Sequence, residues 1–159
     1  MKLKTILTVL AALTLAWACA PKPVTTPGPY QPTSGDQLFA RAEKLFEFQS
    51  YEEALGLYDE YLRQYPDKPL AAAALMKIGI IHALKGEFED ARAAFQKIPS
   101  SYPTSPFVPD ALVEGLFTYY QQRRYQDVIQ LAPEVLKDID SRPHTFREYA
   151  LVGDAYVAQ

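Results

Sequence analysis

Tyr51, Phe88 and Tyr125 follow one another at a step of 37 residues, and a small or β-branched residue comes three positions after each: Ala54, Ala91 and Val128. The same step joins Ala42, Gly79, Leu116 and Gly153, and it carries Tyr65-Pro66 onto Tyr102-Pro103. Independent positions sharing one period constrain the chain to a stack of similar units, each long enough for a pair of helices. Such stacks bury a core between neighbouring units and leave extended surfaces that bind other proteins.

Hydrophobic periodicity divides the units. Leu38, Ala42, Leu45 and Phe46 fall on one face of a first helix ending near Phe48. Tyr51, Ala54, Leu55, Tyr58, Tyr61 and Leu62 mark a second, stopped by Tyr65-Pro66-Asp67 because a residue before proline is pushed out of the α region. A third helix is predicted from Pro69 to Lys85, with Pro69 in its first turn and Gly86 as its breaker. The fourth is predicted from Glu87 to Lys97, closed by Pro99. Ser105-Pro106 reads as an N-cap followed by proline at the first helical position, opening a fifth helix that runs to Gln122. A sixth, after Arg123-Arg124, contains Pro133 and should kink there. A seventh opens near His144 and runs to the last residue.

The units 36–68, 69–105, 106–142 and a partial 143–159 share four marker positions. The small residue of the first helix is Ala42, Gly79 and Gly153, with Leu116 departing. The alanine of the second helix is Ala54 and Ala91, with Val128 departing; its aromatic is Tyr58 and Phe95, with Ala132 departing. The closing proline is Pro66 and Pro103, with Asp140 departing. This pattern resembles the tetratricopeptide repeat family. The resemblance implies an all-α, tetratricopeptide-type antiparallel helix-pair solenoid, with three repeats plus one helix of a fourth. It implies too that the small residues let the two helices of a unit approach, while the aromatic fills the wedge toward the next unit.

In that family the first helix of each unit lines a concave face. Carried onto this chain, the lining side chains are Phe39, Glu43 and Phe46, then Met76 and Ile80, then Val113, Phe117 and Tyr120, with Asp36, Ala73, Ala83 and Asp110 beside them. Members that grip a partner's C-terminal carboxylate place Lys, Arg and Asn there; none stands at these positions. The expected groove is apolar and aromatic with an acidic edge, suited to an extended segment of a partner. The alternative is that neighbouring helices of the chain itself cover these side chains.

The N-terminus adds a location. Lys2 and Lys4 precede an uncharged apolar run, Ile6 to Trp17, so residues 1–18 read as an export signal. Ala16-Trp17-Ala18-Cys19 resembles the lipobox of bacterial lipoproteins, which implies lipidation of Cys19, the sole cysteine; signal cleavage beside an accidental cysteine is the other reading. Leu15 stands one place earlier than the usual lipobox leucine. Ala20, rather than Asp, after the cysteine resembles the sorting pattern of enterobacterial lipoproteins, and the resemblance implies the outer membrane, with the chain facing the periplasm. Residues 19–35 carry Pro21, Pro23, Pro27, Pro29 and Pro32 and read as an extended tether, or as a spacer with no task beyond clearance.

A lipobox, a proline-rich tether and Tyr-Pro-x-x-Pro linkers together resemble tetratricopeptide lipoproteins of the Gram-negative envelope. These include the LpoA-like activators of penicillin-binding proteins, the BamD-like lipoproteins of β-barrel assembly and the CpoB-like coordinators. Ala132-Pro133-Glu134-Val135-Leu136 and Leu151-Val152-Gly153-Asp154-Ala155-Tyr156 are similar to stretches of the activators. The resemblance implies a scaffold regulating peptidoglycan biogenesis, with a peptidoglycan synthase as partner. The alternatives are a β-barrel assembly component as partner, or a helical arm of a larger envelope enzyme. Helix seven is apolar on several sides, which reads as a chain that continues beyond Gln159.

Charge and chemistry narrow the classes. Without the two lysines of the leader, 14 basic side chains face 19 acidic ones, and no Lys/Arg-rich stretch offers a surface for nucleic acid. The lipid, not a charged face, is expected to hold the chain at the membrane. His82 reads as a packed core residue, and His144 has no Cys or His partner at metal spacing. No glycine-rich phosphate loop and no nucleophile–base set stands out, so no catalytic residue, cofactor or metal is expected, and the chain reads as a non-enzyme.

Overall fold

The computed structural model describes residues 33–139 and 146–158. Seven α-helices follow in order: α1 (Ser34–Glu47), α2 (Tyr51–Gln64), α3 (Ala71–Lys85), α4 (Phe88–Ser101), α5 (Val108–Gln121), α6 (Tyr125–Ile139) and α7 (Phe146–Val157). No strand occurs among the described residues. Each helix packs on the next, and α3 touches α5 as α5 touches α7, so successive pairs stack into the expected all-α solenoid. No helix among the described residues is long and apolar enough to cross a membrane. The leader, Cys19 and the proline-rich stretch through Pro32 lie outside the described residues, as do Asp140 and His144.

The period reappears as backbone geometry. Within each pair the turn is built on one left-handed residue: Gln49 at φ 60°, Gly86 at φ 80° and Arg123 at φ 58°. Around each, two hydrogen bonds satisfy carbonyls that the helix end would leave open. Gln49, Gly86 and Arg123 donate to Phe46, Ala83 and Tyr120 at 2.9, 3.0 and 2.9 Å. The following residues, Ser50, Glu87 and Arg124, donate to Leu45, His82 and Tyr119 at 2.9, 2.8 and 2.9 Å. This is one Schellman motif used three times, and only once does it use glycine.

The linkers between pairs also superimpose in register. Tyr65 and Tyr102 end their helices at φ/ψ of −134°/49° and −133°/58°, and Leu70 and Phe107 cap the next at −83°/−2° and −83°/−7°. Here three boundaries differ from expectation. α3 starts at Ala71, not Pro69, because Ala71 N–H closes a tight turn onto the Lys68 carbonyl at 2.9 Å, leaving Pro69 outside the helix. α5 likewise starts at Val108; Ser105 caps through a turn, its hydroxyl accepting from Phe107 N–H at 3.2 Å. α4 runs through Pro99 to Ser101 instead of closing before it. A proline so near a helix end costs a single backbone bond, and Ser100 Oγ donates to the Gln96 and Lys97 carbonyls at 3.0 and 3.1 Å. α7 ends at Val157, short of the last residue.

α3 is apolar on nearly every side, and a helix of that kind must be buried all round. Ala71, Ala74, Ile78 and Ile81 enter the core shared with α1 and α2, while Ala72, Leu75 and Met76 enter the core shared with α4 and α5. The closest approach is at Gly79. A Cβ there would lie 2.4 Å from the Phe95 ring, so the aromatic fills the space over its own pair's small residue and not only the wedge toward the next pair.

The departures in the third unit then make sense together. The first pair buries Ala42 with Tyr58, the second Gly79 with Phe95, and the third Leu116 with Ala132, the large residue having changed helices. Val128, fully buried where the earlier units have Ala54 and Ala91, fills the remainder. Interiors pack near crystalline density, so volume lost on one helix must be supplied by the other.

The left-handed turns give a direct prediction. Gln49→Gly and Arg123→Gly should each raise stability by about 1 kcal/mol by removing the Cβ penalty at positive φ, and Gly86→Ala should lower it by about as much. Denaturant midpoints of the three variants measure this.

Candidate functional site

The helix-A residues do not form one uniformly open groove. On α1, Phe39 is half-buried with its ring edge-on to Tyr58 and Tyr61, at centroid distances of 5.7 and 5.5 Å. Phe46 leans on Tyr51 at 5.9 Å, and the Lys77 ammonium, reaching over from α3, sits 4.4 Å above its ring. Glu43 accepts hydrogen bonds from the Tyr58 hydroxyl and from Lys77 Nζ, the latter at 2.9 Å. The acidic residue of the expected groove is thus engaged in joining the first two pairs.

On α3, Met76 is buried at 7 % exposure, and on α5 Val113 is buried to the same degree. Both are thus far less accessible than the groove reading of the sequence expects. Each belongs to a helix flanked on several sides, where the position that lines a groove in the family pattern falls inside the stack. Ile80 is half-buried beside the second core cluster. Phe117 stacks on Tyr120 with centroids 5.9 Å apart and planes at 14°, and Tyr120 meets Tyr125 edge-on at 5.6 Å. Of the expected apolar groove side chains, Phe39, Phe46, Ile80, Phe117 and Tyr120 therefore stay partly exposed, one or two from each pair.

Two polar constellations escaped the sequence pattern. Arg92 of α4, only 7 % exposed, donates to Thr118 Oγ1, Gln122 Oε1 and Glu89 Oε1 at 3.0, 2.9 and 2.6 Å. Its guanidinium also lies 4.3 Å from the Tyr119 ring centroid. A buried arginine is tolerated when its donors are satisfied in this way, and here it ties α4 to α5. The signal was present in the register: Arg92 stands one step after the core residue Leu55.

The second surrounds His82, which is half-buried rather than packed in the core because it lies in the last turn of α3. Its Nδ1 is 2.7 Å from Glu87 Oε2, and Lys85 Nζ is 3.0 Å from the other oxygen of Glu87 and 2.6 Å from Glu52. These hydrogen bonds, His82 first, hold the Glu87 carboxyl below its usual range. His82, Glu87 and Asp90 bring ligand-type atoms within 4.8 Å of one another. The ammonium of Lys85 on the shared carboxylate opposes a second cation there, so the group reads as a clasp joining α2, α3 and α4.

Tyr58 generates a pH prediction. Burial, with the hydrogen bond and charge of Glu43, holds its phenol well above the usual 10.0. The native state then keeps a proton that the unfolded chain releases. Its contribution to stability is complete below pH 10.0 and is lost as pH rises toward the native value. The fall in stability above that pH should be shallower in Tyr58→Phe, as read from denaturant midpoints across an alkaline series.

Residues 38–106 match the tetratricopeptide repeat family model. That span runs from the second turn of α1 to the linker before α5, and includes the Ala42/Tyr58 and Gly79/Phe95 pairs. No curated protein matches the chain in sequence. The described helices form a tetratricopeptide-type helix-pair solenoid whose first two pairs carry the family's sequence pattern.

Proposed function

We propose that the chain is a non-enzymatic interaction scaffold, held by a lipid on Cys19 at the periplasmic face of the outer membrane, that engages a protein of envelope biogenesis. The observation that supports it is the series Phe46, Ile80, Phe117 and Tyr120, partly exposed on the first helices of three successive pairs. Accessible aromatic and aliphatic side chains repeated along a solenoid suit an extended partner segment better than a compact ligand. The leader and lipobox-like residues support a partner in the envelope. The similarity to penicillin-binding-protein activators makes a peptidoglycan synthase the first partner to test, ahead of a β-barrel assembly component.

Ile80→Asp and Phe117→Asp each replace accessible apolar surface with charge. Crosslinking to the synthase in envelope membranes should fall by at least tenfold in either variant, with helix content by circular dichroism unchanged. Undiminished crosslinking in folded variants contradicts the reading. Cys19→Ser should abolish incorporation of labelled lipid and release the chain from the membrane fraction.

A further inference from the structure

A cavity of about 280 Å³ opens between α4, α5 and α6, away from the accessible helix-A side chains. Its floor is Phe95, Ala111, Gly115 and Leu116, and its rim carries Gln96 and Glu134. The register explains why it exists. One step before Gly115 stands Ile78, whose side chain is buried in the first core cluster. In the third unit glycine leaves that volume empty, and a Cβ on Gly115 would find its nearest neighbour 3.9 Å away at Phe95. A hollow also lies one step earlier, over Asp59 and Lys97, the register equivalents of Gln96 and Glu134; at the second junction the glycine deepens it and the rim cation is replaced by a carboxylate.

Its electrostatics select an occupant. The guanidiniums of Arg92 and Arg124, which face the ring of Tyr119 at the cavity wall, are already paired with Glu89 and Asp127 at 2.6 and 2.8 Å. Glu134 at the rim is exposed and has no ion-pair partner among the described residues. An apolar hole of this size with one unanswered carboxylate at its mouth fits an aromatic ring followed by a cation. We propose that the cavity is an anchor pocket for an aromatic side chain of a partner polypeptide, with a neighbouring lysine or arginine of that partner on Glu134. Gln96 stands beside it as a hydrogen-bonding group for the partner's backbone. The proposal rests on reading the chain as an interaction scaffold but adds a contact site between α5 and the second helices α4 and α6.

The test uses the intact chain and two short peptides, Gly-Gly-Trp-Lys-Gly and Gly-Gly-Trp-Glu-Gly, titrated while the backbone amide resonances of Gly115 and Leu116 are followed. The lysine peptide should shift both amides saturably and bind about two- to fivefold more tightly than the glutamate peptide, the range expected of one partly exposed ion pair. Glu134→Gln should remove that preference by weakening the lysine peptide and slightly strengthening the glutamate peptide, which the native carboxylate repels. Gly115→Ile, which copies the side chain found one step earlier and so should fold, should abolish the shifts for both peptides. Absence of shifts in the native chain, or equal binding by Gly115→Ile, overturns the pocket; equal binding of the two peptides overturns the charge assignment. Crosslinking of the Ile80→Asp and Phe117→Asp variants reads the helix-A face separately, so failure here is distinguishable from failure of the scaffold reading.

Discussion

The distance between α3 and α4 is set by an atom that is missing. Gly79 has no Cβ, and the Phe95 ring occupies the place where one would be, less than 3 Å from it at three ring carbons. Everything outward from this contact inherits the spacing. Ala91 and Ile98 pack fully buried alongside it, and α5 closes over the other edge of Phe95 through Ala111. The α3 face opposite this core carries Ile78 and Ile81 into the first pair. One helix thus serves two cores, which is why it can be apolar on nearly every side while leaving Ile80 in part and Leu84 near its end to solvent.

The same constraint unites features that look unrelated in sequence. Leu116 and Ala132 break the family pattern separately, yet as a pair they restore the buried volume with the large residue on the other helix. The tyrosines of the linkers act as struts: Tyr102 donates its hydroxyl across units to the Pro66 carbonyl at 2.9 Å, while within the first pair the Tyr65 hydroxyl lies 2.8 Å from Ser34 Oγ. Gly35, buried beneath the Tyr65 ring, leaves room for that strut, since a Cβ there would already be in contact at 3.4 Å. A solenoid of this kind is held by nearest-neighbour contacts alone. The Lys77–Glu43 and Lys85–Glu52 pairs add cross-unit ties, the first between partly buried groups and the second to an exposed carboxylate, and such pairs contribute modestly.

The period made the helix order and the core faces legible, because Tyr58, Phe95, Ala54 and Ala91 announce one packing geometry. What stayed hidden has physical reasons. Gln49 and Arg123 adopt the left-handed conformation of Gly86 without glycine, so composition gives no hint and only the register points to them. Met76 and Val113 look like groove residues until the flanking helices are seen to cover them. Arg92 carries no mark of its burial in the local sequence, because nothing nearby announces Thr118 and Gln122 of the next unit. The cavity beside Gly115 is visible only when the third unit is compared with the Ile78 of the second.

A double-mutant cycle on the central contact tests the account most directly. Gly79→Leu should clash with Phe95, and Phe95→Ala should leave a void costing about 3–5 kcal/mol. Combined, they copy the arrangement of Leu116 and Ala132 in the third unit. If complementary volume across the pair governs the stack, the double variant is more stable than the sum of the single losses predicts, by more than about 2 kcal/mol of coupling in denaturant unfolding. Losses that add to within about 0.5 kcal/mol would contradict the claim that one buried volume, shared between two helices, is what each repeat preserves.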